Sequence, residues 1–378
     1  MNGASIQPLG QGARAEGQRL FGAFQSWGAV PVDAAILQPA GTLLDLYGED
    51  IRARAYVTQD PARGELMLRP DFTVPVVQAH MAGGAEPARY CYMGEVFRKQ
   101  EGGAGARASE YLQVGYEVFD RDNPLRADAE VFALFARLLA GRGLKASTGD
   151  IGILRAAVAG LPTSDLRKAA LRRHLWRPAR FRALLERYAG RAPLPQGRAA
   201  LLERLARGET IESPSPHIGL RSRAEIEARL ARLAEDAATP SISPALVDGL
   251  ESLLGVADTA PRALAQMRAH AADMPWIAPS LDLFEQRLTV LAAHGIDVDA
   301  LDFEASYGRT TLEYYDGFVF GFAAEGRDDL PAVASGGRYD ALTAVLGADT
   351  GDGRSIPAVG GVIRPALLAE LEEGAWAG

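Results

Sequence analysis

The sequence has one cysteine, Cys91, so no disulfide can form within the chain and a disulfide-stapled fold is excluded. Such cysteine usage fits a reducing compartment, and the cytoplasm is the expected location. No run approaches the roughly 20 apolar residues that span a bilayer, so no membrane partner is expected. The start, MNGASIQPLGQGARAEGQRLFG, lacks the basic opening and apolar stretch of a secretory signal. Histidine is scarce and scattered (His80, His174, His217, His270, His294), and no HExxH pair occurs. Beside a single cysteine, that pattern predicts no metal site. Neither the phosphate-cradling GxxxxGK[ST] nor the nucleophile elbow GxSxG is present, and no cofactor is expected. Positive charge is also short: the formal net charge is −8, against the whole-chain footprint of a nucleic-acid binder.

What remains is an ordinary globular composition, 378 residues with 48% hydrophobic and 23% charged. The length suits two domains, or one large domain carrying an insertion. Three zones differ in texture. Strand-like segments rich in aromatic and β-branched residues, LMLRPDF, RYCYMGEVFRK and EYLQVGYEVFD, occupy about Leu66 to Phe119. A helix follows, with Val131, Phe132, Phe135, Leu138 and Leu139 at helical spacing. From about Leu161 to Pro275 the chain turns to Ala, Leu, Arg and Glu, read as helices joined by Pro-rich links such as SPSPH. A further helix, with Leu281, Phe284, Leu288 and Leu291 on one face, opens the third zone. Strands then return in LEYYDGFVFGF, AVASGGRYDAL and AVGGVI.

Strands, a helical block and strands again predict an α+β fold. A mixed sheet would be completed by both ends of the chain, residues 1–160 and 276–378, with residues 161–275 as a helical insertion. The Gly-rich GGAGA, Gly102 to Ala106, joins two strand-like segments rather than a strand and a helix. A dinucleotide-binding turn needs a helix N-terminus, so a loop over a site is the better reading.

In the strand around Gly115, alternation puts Gln113, Gly115 and Glu117 on one face and Val114, Tyr116 and Val118 on the other. An amide and a carboxylate flanking a glycine leave room for a ligand, and would suit an ammonium. Taken alone, the pattern equally describes a strand with a solvated polar face, the commoner case. The segment LEYYDGFVF reads the same way, with Glu313, Tyr315 and Gly317 sharing a face against Tyr314, Asp316 and Phe318. Arg98, ending a strand just before the Gly-rich loop, is placed either to clamp an anion or simply to meet water. Asp71 is placed to cap the helix implied by VPVVQAHM, and His80 inside that helix reads as a packed or surface residue.

Taken in order, LRPDFTVPVVQAH, RYCYMGEVFRKQ, YLQVGYEVF, LEYYDGFVF, SGGRYDAL and PAVGG resemble the class II synthetase core in its histidyl-tRNA synthetase version. The resemblance covers roughly Leu66 to Phe119 and Asp302 to Leu368, and is weak in the helical middle. It implies a class II synthetase-like mixed, mainly antiparallel sheet flanked by helices. It also implies a histidine site: Asp71 at the position of an amino-group ligand, Gln113 and Glu117 on the amino-acid strand, and Tyr315 reading the imidazole. Arg98 would face ATP and the acyl group, and Thr73 and Tyr314 complete the set.

The departures from that family point away from catalysis. Gln100 stands for a glutamate, and Ser109, Thr310 and Leu367 stand for arginines. Arg309 is one position out of register with Thr310, and Arg364 falls where the family has a glycine. Losing one positioned cation or donor typically costs about 3 kcal/mol of transition-state stabilisation, so several losses together imply no adenylation and no catalytic residues. Only eleven residues follow Leu367, so no anticodon-binding domain is expected and no tRNA partner.

A truncated core of this kind is most similar to the regulatory subunits that pair with short-form ATP phosphoribosyltransferase, a glycosyltransferase. By resemblance the partner is that catalytic subunit, in a hetero-octamer built on a homodimer of this chain, with histidine as the feedback ligand. Two alternatives stay open, an active histidyl-adenylate-forming enzyme and an RNA-binding accessory protein. The Arg-rich stretch with Arg167, Arg172, Arg173, Arg177 and Arg180 reads as a solvated helix surface.

Overall fold

The computed structural model describes residues 11–41, 54–99, 109–194, 196–211, 221–309, 314–327, 329–349 and 353–374. Helix α1 (Gln11–Ser26) is followed by strands β1 (Val30–Pro31), β2 (Leu37–Pro39), β3 (Val57–Asp60) and β4 (Gly64–Leu68). Helix α2 (Thr73–Met81) leads to the two long strands β5 (Ala88–Phe97) and β6 (Glu110–Phe119). Next come helix α3 (Pro124–Leu138), strand β7 (Leu144–Asp150) and helix α4 (Ile151–Ala159). The helical stretch holds α5 (Asp165–Arg173), α6 (Pro178–Tyr188), α7 (Gln196–Ala206), α8 (Arg223–Ala238) and α9 (Pro244–Leu254). Strand β8 (Ala257–Thr259) and helices α10 (Ala260–His270) and α11 (Ala278–Ala293) return the chain to β9 (Asp302–Glu304) and β10 (Phe318–Ala324). Strand β11 (Ala334–Arg338), helix α12 (Asp340–Asp349), strand β12 (Ala358–Ile363) and helix α13 (Pro365–Gly374) close it.

Among the described residues nine strands form one sheet in the order β1-β5-β6-β12-β11-β10-β7-β9-β8. Only β1 with β5 and β7 with β9 run parallel, so the sheet is mixed and mainly antiparallel, as the sequence predicts. Strands β2, β4 and β3 make a small antiparallel sheet beside it. The strands β12, β11 and β10 from the end of the chain lie between β6 and β7 from its beginning. Residues 161–275 contribute α5 to α10 and also the edge strand β8.

One face of the sheet carries α1, α3, α11 and α13. Helix α3 opens with Pro124, whose missing N–H costs nothing in a first turn, and buries Val131, Phe132 and Phe135 as its spacing predicts. Phe132 meets Phe318, Phe320 and Phe322 of β10, and Phe24 of α1 stacks on Phe135. Each such ring, fully buried, contributes about 1.5–3 kcal/mol of transfer free energy. The other face carries α2 and α12 over Phe72, Tyr92, Phe119, Tyr315 and Tyr339.

Charge is buried between these layers. Asp128 of α3 is fully inaccessible and accepts hydrogen bonds from Arg287 of α11 at 2.9 Å and from Arg338 of β11 at 2.7 and 3.0 Å. Arg287 reaches on to Asp150 at 2.6 Å, which caps α4, and Arg338 reaches Asp340 at 3.0 Å. Another buried arginine corrects the sequence reading: Arg167 is not solvated. It donates to Asp236 at 2.7 Å and to the carbonyls of Asp236, Thr239 and Pro240, tying α5 to the end of α8. Arg172, Arg173 and Arg180 are exposed as expected, and Arg177 is half-buried.

Two local expectations fail. Asp71 does not cap α2, which begins after Phe72 without a side-chain cap. Nor is Tyr314–Gly317 strand: β10 starts at Phe318. Asp316 holds that segment in a turn. Its N–H donates to the Arg338 carbonyl at 2.9 Å, and its carboxylate accepts the N–H groups of Asp340 and Ala341 that begin α12.

Removing one partner of a buried ion pair leaves the other charge uncompensated, at about 3–5 kcal/mol. Asp128→Asn should therefore lower unfolding stability by about that amount in urea titrations. Arg172→Ala on the exposed face of α5 should shift it by less than about 0.5 kcal/mol.

Candidate functional site

The pairing of β12 with β6 sets Gly360 opposite Glu117 and Val362 opposite Gly115. On β5, Tyr92 faces Gly115 and Gly94 faces Gln113. Side chains of odd-numbered β6 residues therefore share one face, as the alternation predicts, and that face is buried rather than solvated: Gln113 and Glu117 are each 1% exposed. The backbone of Gly115 itself is covered, however, so no ligand approaches it there. A Cβ there would fall 2.1 Å from the Tyr92 ring. Likewise a Cβ on Gly360 would fall 1.5 Å from Glu117 Oε2, and one on Gly337 2.9 Å from the Tyr315 ring. Glycine is required at these positions so that the acid and the two tyrosines can lie against the backbone.

Glu117 is the centre of the arrangement. Its Oε1 accepts from the Thr73 hydroxyl at 3.0 Å and the Tyr92 hydroxyl at 2.9 Å, and its Oε2 from Tyr339 at 2.6 Å. Tyr314 donates to the Thr73 oxygen at 3.4 Å, and the rings of Tyr314 and Tyr315 meet edge-on at 4.9 Å. The charges of Asp71 and Glu117 repel each other, and Arg98 Nη2 stands 3.9 Å from Asp71 Oδ2 while Arg98 Nε holds the Pro70 carbonyl. Asp71, Thr73, Glu117, Tyr314 and Tyr315 thus cluster, with Arg98 at the Asp71 side and Gln113 further along the strand. Among the described residues, Oε1 of Gln113 is buried without a hydrogen-bond partner.

Sequence reasoning missed Tyr92 and Tyr339. Tyr339 directly follows the GGR of β11, but only the folded register brings it to Glu117. Behind Tyr92 lies a stack, Phe72 at 4.4 Å and then the Arg69 guanidinium 4.0 Å above Phe72. His80 is packed, as read: its ring stacks on Phe119 at 4.0 Å, its Nδ1 lies 3.0 Å from the Tyr90 hydroxyl, and burial lowers its pKa.

Burial pushes the Glu117 pKa up to about 7, against the lowering pull of its three hydroxyl donors. Burial beside that carboxylate also raises the pKa values of Tyr92, Tyr315 and Tyr339, which stay protonated donors. A buried acid supplied with hydroxyls and, among the described residues, no adjacent cation is complementary to a cationic, hydrogen-bonding group such as an ammonium or imidazolium.

Of the departures from the family pattern, Leu367 lies in α13, half-buried against the apolar core. The carbonyl of Ser109 accepts the Arg98 N–H at 2.8 Å. Arg309 sits in a turn, not on a strand. It is buried, donates from Nε to the Leu175 carbonyl at 2.8 Å and stands 5.0 Å above the Phe181 ring, so it is committed to the helical stretch. Gln100, Thr310, Glu313, the GGAGA loop and SPSPH lie outside the described residues.

The fold is that of a class II synthetase-like protein, and the family model of histidyl-tRNA synthetase matches residues 12–235 and 220–365. A solved structure described as an ATP phosphoribosyltransferase regulatory subunit/histidyl-tRNA synthetase from Bacillus halodurans superposes with a TM-score of 0.66. It shares 21% identity, over 95% of this chain and 78% of that one. A histidine–tRNA ligase subunit from Alicyclobacillus acidocaldarius gives 0.58 at 21% identity, covering 99% of each chain. Curated relatives are nearer in sequence. The ATP phosphoribosyltransferase regulatory subunit of Mesorhizobium japonicum is 35% identical over 363 residues, covering 87% of this chain and 90% of the relative. That of Brucella anthropi is 34% identical over 351 residues, covering 87% and 89%. The chain belongs to this family of ATP phosphoribosyltransferase regulatory subunits, built on the histidyl-tRNA synthetase fold.

A folded-state pKa near 7 against an ordinary 4.5 makes Glu117 favour the protonated folded protein. Its contribution to stability is complete below about pH 4.5 and is lost as pH rises through 7. Between pH 5 and pH 8 the ligand-free chain should lose about 2–3 kcal/mol relative to Glu117→Gln, measured as the difference between their urea midpoints at each pH. Parallel pH profiles would place a paired, fully ionised Glu117 in the folded chain instead.

Proposed function

We propose that this chain is a non-catalytic subunit that holds histidine in the Glu117 pocket and regulates a short-form ATP phosphoribosyltransferase catalytic subunit in histidine biosynthesis. The observation that carries the reading is Glu117, a buried carboxylate ringed by Thr73, Tyr92 and Tyr339 with Tyr315 alongside. An imidazole with a protonated nitrogen is the group such an acid and its phenol neighbours select. Asp71 and Gln113 are assigned to the ammonium. The groups that would serve ATP are assigned as lost, because Leu367 is half-buried against the core and Arg309 is engaged with Leu175 and Phe181. The names of the curated relatives supply the partner enzyme and support the regulatory role. We assign a homodimer of this chain to the centre of a hetero-octamer, a cytoplasmic location, and residues 161–275 to an inserted helical unit. Feedback then requires histidine to prefer one conformation of the complex, since only differential affinity shifts an equilibrium.

The purified chain should show no histidine-dependent exchange of labelled pyrophosphate into ATP above a no-protein control; clear exchange would establish the adenylating alternative. Mixed with the short-form catalytic chain of its own organism, it should co-elute and raise that enzyme's activity. Loss of a hydrogen bond to a charged group costs about 1.5–3 kcal/mol, so Glu117→Gln and Tyr315→Phe should each weaken histidine binding about ten- to hundredfold by calorimetry. Both variants should blunt histidine inhibition of the complex. Parent-like binding in both would move the histidine site elsewhere.

A further inference from the structure

A guanidinium normally ends in water or opposite a carboxylate. Arg364 is instead taken partly out of water. It follows the last residue of β12 and precedes Pro365, the first residue of α13. Ile363 pairs with Val114, so one step further places Arg364 beside Gln113, and alternation turns its side chain to the face that carries Gly360 and Glu117. Its Nη1 donates to the Ala332 carbonyl at 2.5 Å, and the Tyr111 side chain on the same face of β6 lies close by. Among the described residues no carboxylate pairs with it.

Three things oppose a cation there. Arg364 is part-buried; the Arg98 guanidinium acts on it repulsively; and the positive end of the α13 dipole lies beside it. Burial and the Arg98 charge both lower its pKa. An anion between Arg364 and Arg98 would relieve all three.

The order of groups along β6 then becomes legible. Glu117 lies at one end, the unpartnered Gln113 amide oxygen four residues away, and Arg364 across from Gln113 with Arg98 near it. Four residues of strand span about 13 Å. We propose that Arg364, together with Arg98, receives the carboxylate of an α-amino acid whose side chain is held at Glu117 and whose ammonium meets Gln113. The site is then dipolar, with Glu117 at one end and two guanidinium groups at the other, of which Arg98 also lies 3.9 Å from Asp71. It selects an intact amino acid over the corresponding amine. This inference rests on the histidine reading above and adds a residue to it.

Calorimetry on the full chain with histidine and with histamine, which lacks the carboxylate, tests it. The parent should bind histidine at least about tenfold more tightly than histamine. Arg364→Met should weaken histidine about ten- to hundredfold and leave histamine within about twofold, while Arg364→Lys recovers part of the loss. Glu117→Gln should weaken both ligands alike. Equal affinity of the parent for the two ligands, or equal weakening of both by Arg364→Met, overturns the role of Arg364 while leaving the Glu117 pocket standing. A Glu117→Gln variant that binds both ligands like the parent overturns the pocket itself. The parent comparison needs no variant, so a poorly folding substitution does not decide the outcome.

Discussion

Asp128 lies at 0% exposure in the second turn of α3 and is shared between Arg287 and Arg338, which are 159 and 210 residues further along the chain. The desolvation of a buried carboxylate is tolerable only when cations and donors surround it with good geometry. Here that condition can be met only if α11 has returned from the helical stretch and β11 has already entered the sheet. The ion cluster therefore specifies how the two halves of the chain meet. Through Asp150 it fixes the start of α4, and through Asp340 it fixes the start of α12. Tyr339, which holds Glu117, lies between Arg338 and Asp340 and inherits its position from that cluster. Site geometry and global topology are thus set by the same buried charges.

The two faces of the sheet divide the work. One is packed by phenylalanines from β10, α1 and α3 beside the Asp128 ion cluster. The other is rich in tyrosines, and the hydroxyls of Tyr92 and Tyr339 converge on a single acid. A tyrosine supplies ring area for packing and one donor for a partner, so a polar site can be lined without leaving a hollow core. In the absence of ligand those rings supply the packing themselves, and the space over Gly115 is occupied by Tyr92.

Most of the sheet and the two long core helices were legible because their signals are local: alternation in β5 and β6, and spacing in α3 and α11. The face shared by Gln113 and Glu117 was legible for the same reason. What was not legible depends on partners distant in sequence. Tyr92 reaches Glu117 through the register of two strands separated by a loop, and Tyr339 through the placement of β11 next to β12. The turn at Tyr314–Gly317 reads as strand because its residues favour strands; the demand of Asp316 for the first N–H groups of α12 overrides that preference. Arg167 sits in a basic run that looks solvated, and only Asp236, 69 residues away, makes its burial intelligible. The resemblance to the synthetase core supplied what local patterns could not, namely the meeting of Thr73, Glu117 and Tyr315 in one place.

Gly336 pairs with Gly361 and Gly337 with Gly360, so β11 and β12 run side by side with no side chains over four positions. On one side the rings of Phe135 and Phe320 press against this bare stretch, and on the other Glu117 and Tyr315 do. The wall between the tyrosine layer and the phenylalanine layer is there a single peptide thick. It works as a diaphragm: any movement of the acid or its tyrosine neighbour bears on the backbone itself, and the aromatic rings behind it feel that load with nothing soft in between.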